Sequence, residues 1–111
     1  MIYKILDAAE WREAQSAGAF AGSAVDRQDG YIHFSTALQL AETAARHFAG
    51  RHGLLLLWVD DAELAADLKW EPSRGGDLFP HLYAALPVEA VKRVAPLPWD
   101  GSRHAIPPGL E

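Results

Sequence analysis

The sequence predicts a single α+β domain, and three observations lead there. Strand and helix patterns alternate in the first half, whereas the second half reads mostly as strands with short connections. No Gly-x-Gly-x-x-Gly follows the first strand and no phosphate-binding Gly-Lys-Ser/Thr loop occurs, which sets aside the ordinary dinucleotide and triphosphate folds. Half of the 111 residues are hydrophobic, enough for one core without disulfides or metal staples. Area scaling puts the folded surface at about 6,000 Å².

Each element follows from a local pattern. Residues 2–6 (Ile-Tyr-Lys-Ile-Leu) are β-rich and short, a first strand. Asp7 and Glu10 have capping-box spacing and open a helix over 8–17, with Trp11 and Ala14 toward the core and Gly18 as its stop. Residues 18–30 are small and polar and show no period. They are predicted to be a long loop, a place where function often sits. A strand follows at 31–34. Thr36 and Gln39 form a second capping box for a helix to about Ala49, with Leu38, Ala41, Ala45 and Phe48 as its apolar stripe.

The run Leu54-Leu55-Leu56-Leu57-Trp58-Val59 is continuously apolar and predicts a central strand buried on both faces. Asp60 and Glu63 cap a short helix over 61–66. A strand at 68–71 is expected to stop at Pro72, with a loop to Pro80 and another strand over 81–85. A last strand spans 90–95, with Val91 and Val94 as its core candidates. Residues 1–96 thus form the domain. Residues 97–111 are expected to be an irregular tail packed on it or trailing from it, with His104 solvated.

Charge and composition narrow the partners. The net charge is −5 and the ten basic residues are dispersed, which argues against duplex nucleic acid but leaves a small anionic ligand open. Without cysteine there is no thiolate nucleophile, disulfide or cysteine-held zinc. The N-terminal stretch meets Asp7 early and does not read as a signal peptide. The longest apolar run is far too short to span a bilayer. A cytoplasmic protein with no membrane partner is expected.

The candidate site lies on two stretches, Asp29-Gly30-Tyr31-Ile32-His33-Phe34-Ser35-Thr36 and Phe79-Pro80-His81-Leu82-Tyr83. With a period of two, Ile32 and Phe34 share one face, and Tyr31, His33 and Ser35 the other. His81 and Tyr83 likewise oppose Leu82. Two strands that both present histidine and tyrosine read as the lining of a groove rather than a solvated face. Glu71 joins them if the strands at 31–34, 68–71 and 81–85 are neighbours. Thr36 suits the capping box, which leaves Ser35 spare beside a helix N-terminus that suits a phosphate or carboxylate.

No His-Glu-x-x-His occurs, and His47 and His52 do not share a helix face, so no dedicated metal site is predicted. A two-histidine, one-carboxylate set of His33, His81 and Glu71 keeps a metal-dependent hydrolase as an alternative.

These segments, with Trp70-Glu71-Pro72 between them and Ala90-Val91 after, resemble the bacterial family catalogued as domain of unknown function 952 over about residues 2 to 96. Ala84 departs from the glycine expected after the tyrosine. The family is similar, at the level of fold, to the ADP-ribosyltransferase group that includes the RNA 2′-phosphotransferases. That resemblance implies a bent or split, mostly antiparallel sheet with two main helices and NAD or a nucleotide in the cleft. It assigns His33, Glu71 and Tyr83 to catalysis, as ribose anchor, acid and stacking ring. Tyr31, Ser35, Thr36 and His81 become ligand-binding residues, with NAD as the candidate substrate. A non-catalytic module for a small anionic metabolite is the other alternative.

Overall fold

The structure, a computed structural model, describes residues 1–110, and Arg74 through its backbone alone. In chain order the elements are β1 (Ile2–Asp7), α1 (Ala8–Ala17), β2 (Ala19–Phe20), α2 (Ala24–Asp29), β3 (Ile32–His33) and α3 (Ala37–His47). They continue as β4 (Leu54–Val59), β5 (Leu68–Ser73), β6 (Asp77–Leu82), β7 (Leu86–Pro87) and β8 (Val91–Pro96). This is an α+β protein, and its named strands pair antiparallel throughout. The exposed surface is 6052 Å², close to what mass scaling gives.

The strands form two three-stranded sheets, β1-β4-β8 and β3-β6-β5, with a small ladder of β2 on β7. One backbone bridge joins the two larger sheets. The N–H of Tyr3 donates to the Ser35 carbonyl at 2.8 Å, and the N–H of Ser35 returns to Tyr3 at 2.9 Å. The chain leaves β3 through this bridge and enters α3 directly, capped by Thr36, whose Oγ1 accepts the Gln39 N–H at 3.3 Å.

β4 separates two cores, as its uninterrupted apolar run requires. Leu57 and Val59 face one core with Ile2, Leu6, Trp11, Phe20, Ile32 and Leu82. Leu54, Leu56 and Trp58 face the other with Tyr3, Ile5, Leu40, Ala44 and Leu97. The second core is closed by the tail: Leu97 is buried, and the Trp58 indole N–H donates to the Gly109 carbonyl at 3.0 Å. His104 is buried rather than solvated, because its Nε2–H donates to the Phe48 carbonyl at 2.6 Å.

Several expectations are corrected. The segment 18–30 is not a loop: it holds β2 and a third helix, α2. Ser23 and Asp26 form a capping box with aspartate in the place usually taken by glutamate, and the Asp26 carboxylate accepts the Ser23 N–H at 2.9 Å. The apolar stripe of α3 lies one position away from the expected one. Leu40 and Ala44 are buried, while Leu38 is 98% exposed. The Tyr3–Ser35 bridge fixes the rotation of α3 on β1, and periodicity alone does not. The helix ends at His47 with Phe48 as its cap.

β5 runs through Pro72 to Ser73, which is tolerated because β5 is the edge of its sheet. β6 correspondingly begins at Asp77 and ends at Leu82, so the strand expected at 81–85 is displaced toward the N-terminus. Val94 faces solvent and Val91 is only partly buried.

Leu57→Ala should therefore cost about 2–5 kcal/mol of stability in urea unfolding, as a cavity in a closed core does. Leu38→Ala should stay within about 0.5 kcal/mol of the native chain, despite deleting the same atoms.

Candidate functional site

The register of the β3-β6-β5 sheet assembles the site. His33 on β3 lies directly opposite His81 on β6. Tyr31, two residues before His33, and Tyr83, two after His81, extend the same face. The imidazoles are edge to face with centroids 5.6 Å apart. Tyr31 stacks on His81 at 4.1 Å and 23°, and lies 5.3 Å from Tyr83.

On β5, Glu71 sits beside this pair. Its Oε1 accepts from the Tyr83 hydroxyl at 2.7 Å and from Nδ1 of His81 at 2.8 Å. The Tyr83 hydrogen bond, followed by that of His81, pulls the Glu71 carboxyl below its ordinary range. Reciprocally, the bond to Glu71 pushes the Tyr83 hydroxyl up to about 12. His81 thus has a fixed Nδ1–H, and its Nε2 has no hydrogen-bond partner among the described residues.

His33 is held by a different network. Its Nδ1 lies 2.6 Å from Oδ1 of Asp26, and its Nε2 lies 2.9 Å from Oδ2 of Asp29. Asp26 is buried, and so is Lys4, whose ammonium donates to both Asp26 oxygens (3.2 and 3.0 Å) and to the His33 carbonyl (3.0 Å). Burial alone would raise the Asp26 carboxyl. The His33 hydrogen bond, the Lys4 charge and the Ser23 N–H outweigh it and leave the carboxyl well below the carboxylate range. Burial lowers the Lys4 ammonium against the opposing pull of Asp26.

A cleft of about 550 Å³ opens along this face, and its lining includes Lys4, Asp26, Tyr31, His33, Ser35 and His81. Asp29 and Arg51 also line it, the latter paired with Asp7 at 3.0 Å. Of the residues singled out from the sequence, Tyr31, His33, Ser35 and His81 come together on the cleft. Ser35 is buried there, with its hydroxyl 2.9 Å from that of Thr43. Glu71 and Tyr83, more exposed than His81, are not among the lining residues, and Thr36 is taken up in capping α3.

Lys4 and Asp26 were not singled out for the site. Their signals were a lone lysine in an otherwise apolar first strand and an aspartate three residues after a capping serine. Among the described residues, no group of three metal-donor side chains is placed to hold an ion. No helix among them is long and apolar enough to cross a membrane.

Antiparallel α+β sheets carrying a cleft of paired histidines, each backed by a carboxylate, define the class. Residues 5–94 match the family described as "Protein of unknown function (DUF952)", and the chain belongs to that family. It is similar to protein CC0527 from Caulobacter crescentus. The crystal structure of that protein has a TM-score of 0.89 at 52% identity, covering 93% of this chain and 90% of that one. Its solution NMR structure has a TM-score of 0.80 at 54% identity, covering 90% and 86%. No curated protein matches.

The Asp26 network sets a pH dependence. A carboxyl depressed in the folded state contributes its full stability above its unfolded value, about 3.9, and loses it as the pH falls below that. Urea unfolding between pH 7 and pH 3 should show stability declining below about pH 4, with a shallower decline in Asp26→Asn. At neutral pH, Lys4→Met should cost about 3–5 kcal/mol, because it removes the ammonium that donates to both oxygens of a buried carboxylate.

Proposed function

We propose that the cleft binds NAD or a related nucleotide and that the chain is an ADP-ribosyltransferase-like enzyme. The observation that carries this reading is the pair of imidazoles facing one cleft, each with Nδ1 on a carboxylate, with Tyr31 stacked against one of them. A carboxylate on Nδ1 fixes the ring's orientation and stabilises the imidazolium that forms when Nε2 takes a proton. Tyr31 offers a π-face to a planar, cationic nicotinamide ring.

In this reading the bond from the ribose C1′ to nicotinamide breaks, and its electron pair passes to the ring nitrogen. An acceptor hydroxyl or water forms the new C1′–O bond and gives its proton to Nε2 of His81. Glu71 acts through His81 as a positioning residue, with Tyr83 holding Glu71 in turn. His33 anchors the ribose-phosphate part of the ligand. Tyr31 takes the stacking role that the family resemblance gave to Tyr83, since Tyr31 lines the cleft.

Thermal unfolding with NAD and ADP-ribose tests the binding, and nicotinamide release tests the chemistry. A ligand at a hundred times its Kd adds about 2.7 kcal/mol, on the order of 10 °C for a domain of this size. His81→Ala should retain much of that shift while lowering nicotinamide release by roughly 10²–10⁴-fold. A shift without release makes the chain a non-catalytic binding module. Neither shift nor release with any nucleotide overturns the proposal.

A further inference from the structure

The two histidines of the cleft are not equivalent. His81 has one carboxylate partner, whereas His33 has one on each ring nitrogen, Asp26 at 2.6 Å and Asp29 at 2.9 Å. An ionised carboxylate can only accept, so where both Asp26 and Asp29 are ionised both ring nitrogens of His33 act as donors in this arrangement.

The two carboxylates differ in how firmly they are held. Asp26 is buried, and it accepts from Lys4, from the Ser23 N–H and from the backbone and ring of His33. Asp29 is 40% exposed at the last residue of the short α2. Its bond to His33 is its only side-chain hydrogen bond among the described residues. Both Asp29 and His33 line the cleft. Without Asp29, the buried Lys4–Asp26 pair together with a half-buried His33 ring that donates from both nitrogens carries one net positive charge, and an anion of equal charge restores the balance.

We propose that Nε2 of His33 is an oxyanion subsite, that Asp29 fills it in the free protein, and that a phosphate or carboxylate group of the ligand takes its place. This rests on the cleft being the ligand site and names the group that enters it next to His33. The exchange is charge for charge. One charge-assisted hydrogen bond is given up and another is made, so the incoming anion competes with a tethered, solvated carboxylate. No covalent step is involved.

The test uses inorganic phosphate and acetate as separate probes on the native chain, Asp29→Ala and His33→Gln. Binding is followed by side-chain NMR of the histidines and by thermal unfolding. Removing the tethered competitor should tighten anion binding on the order of tenfold in Asp29→Ala, the equivalent of one charge-assisted contact. Binding should be lost in His33→Gln, and the His33 ring resonances should respond more strongly than those of His81.

A gain with phosphate identifies a phosphoryl group as the natural occupant, and a gain with acetate alone identifies a carboxylate. Equal binding by the native chain and Asp29→Ala overturns the subsite, as does binding that survives in His33→Gln. If phosphate shows the gain while NAD neither binds nor reacts, the nucleotide reading fails and the subsite stands. If NAD binds and neither anion shows the gain, the subsite alone fails.

Discussion

One buried carboxylate organises the face on which the cleft is built. Asp26 receives the Lys4 ammonium from β1, the Ser23 N–H from the start of α2, and both the backbone and the ring of His33 from β3. A distant strand, β1, and the consecutive elements α2 and β3 therefore converge on two oxygen atoms. β1 is buried over residues 2–6, so Lys4 is placed where an aliphatic residue would serve packing equally well. A buried ion pair is seldom the more stable choice, because the desolvation of both charges offsets most of their attraction. The pair is explained by what it positions: with Lys4 neutralising its charge, Asp26 stays ionised in the interior and fixes the ring of His33 at the cleft.

The rest of the architecture keeps this arrangement rigid. β4 lies between two cores, and the sheet it belongs to is fastened to the histidine-bearing sheet at Tyr3 and Ser35. Lys4 is the next residue along β1 from Tyr3, so the backbone bridge and the side-chain ion pair act at adjacent positions. The bridge sets the spacing between the sheets and the ion pair sets the chemistry between them. Ser35 contributes twice, through its backbone to the bridge and through its hydroxyl to Thr43 on α3. That second bond ties the helix to the same seam.

How much of this was legible in the sequence depended on the range of the interaction. Period-two alternation placed Tyr31 with His33 and His81 with Tyr83, because side-chain alternation is a local property of an extended chain. The apolar run at 54–59 announced a strand buried on both faces for the same reason. The rotation of α3 was not legible: stripes through Leu38 and through Leu40 satisfy helical periodicity almost equally, and a bridge from Tyr3, more than thirty residues away, decides between them. Nor was Pro72 inside a strand, since its tolerance depends on β5 being an edge. α2 has no usual sequence signal, because aspartate takes the capping position where glutamate or glutamine is common. The Lys4–Asp26 pair is a long-range contact with no local signature beyond a lysine in an apolar strand.

His33 and His81 show how one residue type at two facing positions acquires two roles. Strand pairing makes them equivalent, opposite each other on the same side of one sheet. Their surroundings then separate them. His81 is buried under Tyr31 and tethered through Glu71, with a single nitrogen uncommitted, which suits transfer of a proton. His33 stands nearer solvent between a fixed and an exposed carboxylate, which suits holding charge. An imidazole with one nitrogen uncommitted beside one held between two carboxylates gives the proposed site two chemically different ends. That division arises from the partners of each imidazole, which is why the carboxylates matter as much as the histidines they hold.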